Sequence, residues 1–197
     1  MEFDAVEPIV REIGPAKFDR YAKIDPSYVV ASSLDVVPMD RGIAGIRFVE
    51  REVDPSYSKG ADSPDDSPTS WPPRNESGQF AVFLATDNDT AVGGAAVIKN
   101  PQGAFLLERR SELAGLWDIR VNPDYRRTGI GTRLLLQASE WAKQHGCSQL
   151  RVESQNVNVA GCRFYAKHCI LGGVERHGYA ACPDVAHEAM LLWYREL

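Results

Sequence analysis

Arg126-Arg127-Thr128-Gly129-Ile130-Gly131 places two cations and two glycines directly ahead of an apolar-periodic stretch. Glycine lets the main chain close on a ligand with no Cβ in the way. A helix that starts at such a turn offers its first, unpaired N–H groups and the positive end of its dipole to an anion. The chemistry this spacing suits is the grip of phosphate oxygens. A phosphorylated small molecule is the expected ligand, with main-chain amides from Arg127 to Thr132 as donors and Arg126 and Arg127 as cations; a solvated basic turn is the structural alternative for either arginine.

Elements on both sides must hold that turn. Leu113 to Val121 reads as a strand, with Trp117, Ile119 and Val121 on one face and Asp118 and Arg120 on the other. Leu134, Leu135, Ala138, Trp141, Ala142 and His145 trace one helical face behind the turn, and Gly146 ends the helix. Gln149 to Glu153 reads as a strand and Asn158 to His168 as a second helix. Ile170 to Arg176 and Ala189 to Tyr194 read as closing strands. Upstream, Gln79–Thr86 and Ala91–Lys99 form a hairpin about the turn Asp87-Asn88-Asp89-Thr90, and Asn100 to Gly103 forms another turn. Tyr28–Val30 and Ile46–Val49 also read as strands. The spacing of Val6, Ile9, Val10, Ile13, Phe18 and Tyr21 predicts two short helices or one broken at Gly14-Pro15 over residues 5–24. The Pro-, Ser- and Asp-rich stretch 54–78 reads as a mobile loop, with Trp71 packed back on the body or covering a substrate. The pattern is that of a layered α/β (α+β) domain spanning 1–197: an N-terminal arm at 1–53, the loop at 54–78 and a core at 79–197.

The chain has 197 residues, 44% of them hydrophobic and 25% charged, ordinary values for a globular protein. A formal charge of −5 argues against nucleic acid as a partner and mildly suits a cationic small molecule. No apolar run approaches the roughly 20 residues of a membrane helix, and the acidic start Met1-Glu2-Phe3-Asp4 is unlike a signal peptide, so a cytoplasmic setting with no membrane partner is expected. The four cysteines, irregularly spaced, read as reduced thiols. His168-Cys169 with His177 and Cys182 hint at a metal, but no CxxC spacing supports one, and none is expected.

Residues 113–168 resemble the GNAT N-acetyltransferase superfamily. The resemblance rests on Ile119-Arg120-Val121-Asn122-Pro123-Asp124-Tyr125-Arg126-Arg127-Thr128-Gly129-Ile130-Gly131, followed by Asn158 and Phe164-Tyr165 on the next helix. Glu153-Ser154-Gln155-Asn156-Val157-Asn158, the helix after it and Leu191-Leu192-Trp193-Tyr194 are similar to streptothricin acetyltransferases; Ile24–Tyr28 and Pro55–Lys59 resemble them more loosely. The chain departs from these relatives by lacking a glycine between His168 and Cys169, and by carrying Trp117 where an acidic residue is frequent.

The resemblance implies a GNAT fold: a central mixed, mostly antiparallel twisted sheet, splayed between two central strands and flanked by helices. It implies acetyl-CoA as donor, its pyrophosphate held by Arg126, Arg127, Thr128, Gly129, Ile130, Gly131 and Thr132. Its pantetheine arm runs along the backbone of Ile119, Arg120 and Val121, where one N–H polarises the thioester carbonyl. Asn158 is implied as a further contact, with a helix N-cap as its other role. The acceptor is expected to be a primary amine of a small cationic molecule, possible acceptors including streptothricin-like antibiotics. A protein N-terminus or lysine, or a non-catalytic acyl-CoA-binding module, is the alternative. At pH 7 only roughly one alkyl amine in 2,000 is neutral, so the site must take up a proton. Glu153, twelve residues before Tyr165, matches the base and acid spacing of ribosomal-protein alanine acetyltransferases. Glu153 is therefore read as base, or as a carboxylate paired with Arg151 or Arg163. Asp118 is the rival base, an ammonium anchor, or a partner of Arg120. Tyr165 is read as the acid that protonates, or hydrogen-bonds to, the departing sulfur. Cys162 has no paired histidine, which argues against a covalent enzyme intermediate. Asp62, Asp65 and Asp66 are candidates for attracting a cation, and the family's habits imply a homodimer through the final strands.

Overall fold

The computed structural model describes residues 8–60, 67–71, 79–99, 110–176, 179–180 and 183–197. Asp62, Asp65, Asp66, His177, Cys182 and the turn at 100–103 lie outside the described residues. The chain divides into two compact units.

The first unit comprises Met1–Pro26, Ala61–Arg151 and Glu196–Leu197. Its sheet centres on β4 (Phe80–Asp87) and β5 (Thr90–Ile98). Both strands are apolar and buried along most of their length rather than alternating, the composition of strands covered on both faces. Asn88 and Asp89 take positive φ at 43° and 69°, the mirror-image turn that matches strand twist. β5 pairs antiparallel with β6 (Leu113–Val121), and β6 pairs parallel with the start of β7 (Gln149–Gln155). The register of β6 slips at Trp117, since Asp118 faces Ala96 while Leu116 faces Val97. That extra residue bends the strand and re-aims its C-terminal half. α2 (Ile130–Gln144) packs on β4, β5 and β6 through Ile130, Leu134, Leu135, Ala138, Trp141 and Ala142. Each large side chain so buried is worth about 2 kcal/mol.

Two readings of the N-terminal half are corrected. Ile9–Ile13 is a strand, β1, antiparallel to β4, and only Phe18–Ala22 is helical as α1, after a single 3-10 turn at Pro15–Lys17. Ile9, Val10 and Ile13 fit a helical stripe, but β-branched residues serve equally on the open edge that β4 presents. Residues 54–59 belong not to a loop but to β3 (Ile46–Lys59), in the second unit. There the ladder pairs Ser32 with Glu52 and then Val30 with Tyr57. The stretch 53–56 is thus skipped, and Pro55 sits where no ladder N–H is required. Trp71, 2% exposed, packs back on the body: its ring lies edge-on to Tyr21 at 5.4 Å and to Phe80 at 6.0 Å.

The second unit, Ser27–Gly60 with Val152–Arg195, contains the hairpin of β2 (Tyr28–Pro38) and β3, the end of β7, α3 (Val159–His168), β8 (Ile170–Glu175) and β9 (Met190–Glu196). β8 and β9 are antiparallel. Val30, Val152, Cys162, Leu191 and Trp193 are buried, and the Trp193 indole N–H donates to Ser154 Oγ at 2.8 Å. Among the described residues the sheet numbers seven strands, mixed and mostly antiparallel, in the order β1-β4-β5-β6-β7-β9-β8. Among the described residues no helix is long and apolar enough to cross a membrane.

Candidate active site

The glycine-rich turn lies in the first unit. After Asn122, whose side chain accepts from the Asp124 N–H, a 3-10 turn at Pro123–Tyr125 carries the chain off β6. Arg127 takes φ 69° and Gly129 φ 92°, two left-handed positions close together. Such a turn aims successive amides inward. At Gly129 a side chain is strained; at Arg127 the turn already carries a cost of about 1 kcal/mol. Thr128 Oγ1 fixes the turn by donating to Tyr125 O at 2.6 Å. The first intrahelical bond of α2 runs from Arg133 N–H to Gly129 O, so the amides of Gly129, Ile130 and Gly131 precede the ladder. Gly129 as N-cap supplies no side-chain cap, and the first turn holds no acidic residue. An uncapped, unneutralised helix start suits an anion. Arg126 Nε donates to Val121 O at 3.0 Å. Arg127 is exposed and makes no hydrogen bond or ion pair among the described residues.

β6 holds the next group of predicted residues. Ile119, Arg120 and Val121 pair with Ala95, Gly94 and Gly93 of β5, while the pairing of β6 with β7 covers Leu113–Gly115. The Arg120 side chain is spoken for. Its Nε and Nη2 reach the two Asp118 oxygens at 2.8 and 3.1 Å, and its guanidinium lies over the Tyr21 ring at 5.1 Å. Any contact of Arg120 with a ligand therefore runs through its backbone. Tyr21 donates its hydroxyl to Asp118 Oδ2. Burial and then the Asp118 charge push the Tyr21 phenol well above its usual range, so it stays a donor. Gly94 makes room for this arrangement: a Cβ there would lie 2.2 Å from Tyr21 Cε2. Sequence reasoning missed Tyr21 because its place on a helical face announced the ring and not the hydroxyl.

Glu153, Asn158 and Tyr165 lie in the second unit. Among the described residues Glu153 Oε1 accepts from the Tyr179 hydroxyl at 2.7 Å, and Arg163 pairs with Glu50. Tyr179 in turn accepts from Gln155 Nε2 at 3.1 Å. Burial, then the bond to Glu153, holds the Tyr179 phenol far above its ordinary value. No periodicity or motif marked Tyr179 in the sequence. Asn158 is the N-cap of α3, accepting from Gly161 N–H at 2.9 Å. Tyr165, 7% exposed, packs edge-on to Phe164 at 5.3 Å and tilted to Trp193 at 6.3 Å. α3 passes to β8 through Cys169 alone. Burial pushes the Cys162 thiol up, and its Sγ donates to Gln155 O at 3.4 Å, unlike an activated nucleophile.

The sequence matches the model of the acetyltransferase (GNAT) family over residues 46–169. It is 37% identical over 115 residues to streptothricin acetyltransferase A of Bacillus subtilis (strain 168), covering 58% of this chain and 61% of that protein. It is 29% identical over 170 residues to a streptothricin acetyltransferase of Escherichia coli, covering 85% and 84%. A Bacillus anthracis str. Ames protein solved in complex with acetyl coenzyme A superposes with a TM-score of 0.78 at 26% identity, over 98% of this chain and 99% of that one. An uncapped helix start behind a left-handed glycine, a β6 bent at Trp117 and these likenesses lead to one conclusion: the chain belongs to the GNAT acetyltransferase family and is an acetyl-CoA-dependent N-acetyltransferase.

Proposed function

We propose that the protein moves the acetyl group of acetyl-CoA directly to a primary amine of a small cationic acceptor, of the streptothricin class. The likeness to streptothricin acetyltransferases supports the acceptor class. On this reading the amides of Gly129, Ile130 and Gly131 and the Arg127 guanidinium hold the pyrophosphate. The backbone of Ile119 or Val121 donates to the thioester oxygen, where negative charge develops.

The observation that carries the assignment of the base is the engagement of Asp118. Its two oxygens already serve Arg120 and Tyr21, so proton uptake there would break a pair whose arginine is 3% exposed. Disrupting such a pair costs about 3–5 kcal/mol. Glu153 carries no such ion pair among the described residues, and Tyr179 orients it. Glu153, directly or through water, takes the proton that the attacking amine sheds as the C–N bond forms and the C–S bond breaks. Tyr165 returns a proton to the departing sulfur.

Steady-state turnover of acetyl-CoA with streptothricin, aminoglycosides, polyamines and N-terminal peptides tests the reading. Turnover of streptothricin or another small polycation is expected. Turnover of peptides alone would replace the acceptor class with a protein terminus.

A further inference from the structure

The second unit holds a group of side chains that the transfer step does not use. Glu188 is 3% exposed. One of its carboxylate oxygens, Oε1, is bonded by Lys59 and has His187 Nε2 at 3.9 Å. The other, Oε2, is fully buried with no hydrogen-bond partner among the described residues, and so is the Tyr28 hydroxyl. Both depart from the rule that buried polar atoms are paired, and each carries a desolvation cost.

The register of the hairpin brings the two together. Tyr28 stands directly opposite Lys59, whose ammonium holds Glu188. Tyr57, two residues before Lys59, shares its face of β3. Tyr28, Tyr57 and Tyr179 all feel the Glu188 charge, which adds to burial in raising each phenol. One buried carboxylate oxygen thus awaits a hydrogen donor, and one buried phenol hydroxyl, donor and acceptor at once, awaits a partner, among aromatic rings. A hydroxyl or amide brings one or two N–H or O–H groups; an alkylammonium brings three, with a charge that a carboxylate and ring faces both favour.

We propose that Glu188 Oε2 and the Tyr28 hydroxyl, with the Tyr57 ring beside them, form a binding subsite for an ammonium group of the acceptor other than the one that is acetylated. The ligand's identity as acceptor rests on the transfer reading above; the subsite itself rests on the two buried atoms. Tyr179 joins it to the chemistry, being bonded to Glu153 and within the field of Glu188. The protein then prefers acceptors with at least two amines over monoamines.

Calorimetric titration of spermidine and of streptothricin into the CoA-loaded protein reads the subsite without turnover. Wild type is expected to bind at least one of them, and butylamine far more weakly. Glu188→Gln is expected to weaken that binding about tenfold and Tyr28→Phe about fivefold, the sizes of a charge-assisted and a neutral hydrogen bond. CoA affinity, measured on the same samples, reports folding. Tyr28→Phe removes one oxygen that has no partner among the described residues, so it folds even where Glu188→Gln does not. Unchanged polyamine and streptothricin affinity in Tyr28→Phe, or no preference of wild type for them over butylamine, overturns the subsite. Binding of a polycation with no transfer to any amine would instead sink the transfer reading and leave the subsite standing.

Discussion

Replacing Asp118 with asparagine leaves the buried Arg120 guanidinium beside a neutral amide. The expected consequence of Asp118→Asn is therefore a loss of stability of about 3 kcal/mol, seen as a lower Tm. Glu153→Gln removes a carboxylate held by one tyrosine hydroxyl at 2.7 Å, so its Tm is expected to stay near that of wild type while kcat falls about a hundredfold. The opposite pattern, a stable and inactive Asp118→Asn, would transfer the base role to Asp118. Tyr165→Phe is expected to slow turnover at least about tenfold with CoA affinity little changed, because one proton donor is lost and no phosphate contact. The Cys169 thiol, pushed up to about 11 by burial, gives a pH-dependent check on the α3–β8 junction. Thiolate is the reactive form, so at pH 8 only about one such thiol in a thousand is available to an alkylating agent. Labelling at Cys169, followed by mass spectrometry, is expected to stay low at pH 8 and to climb steeply as the pH approaches 11.

Two helix starts hold candidate residues, and each depends on a glycine for a different reason. Gly129 sits at φ 92° and frees the amides behind it, whereas Gly161 leaves room for the Asn158 cap, since a Cβ there would lie 2.7 Å from Asn158 Nδ2. Gly129→Ala is expected to raise the KM for acetyl-CoA several-fold, with a strain cost of about 1 kcal/mol. The turn was legible in the sequence because its chemistry is local: glycines, cations and a helical stripe within one short window. Strand β6 and helices α2 and α3 were legible for the same reason. β1 was not, since Ile9, Val10 and Ile13 satisfy a helical stripe and a strand alike, and only the edge of β4 decides. Nor was the tail of β3, where Pro55 suggested a loop but falls in a skipped stretch of the ladder. Arg120 was legible as a partner of Asp118, two residues along one strand, but the tyrosine partners of Asp118 and Glu153 were hidden for a further reason. Tyr21 and Tyr179 come from distant positions, and nothing in their local sequence tells a phenol that serves a carboxylate from a ring that fills space.

Across the whole chain the formal charge of −5 sets a long-range field that favours a polycationic acceptor. For such an acceptor kcat/KM is expected to fall as salt rises from 10 to 300 mM (roughly a thirty-ångström to a six-ångström Debye length), while kcat itself barely moves. A flat salt profile would mean that short-range contacts alone recruit it. The close approach of Tyr21 to Gly94 ties α1 to β5, with Trp71 lying against the same tyrosine. In a saturation library at codon 94, survivors should therefore be glycine alone. Paired libraries randomising codons 21 and 94 should recover larger residues at 94 only alongside smaller ones at 21, a compensation in volume that marks the two codons as one unit of inheritance.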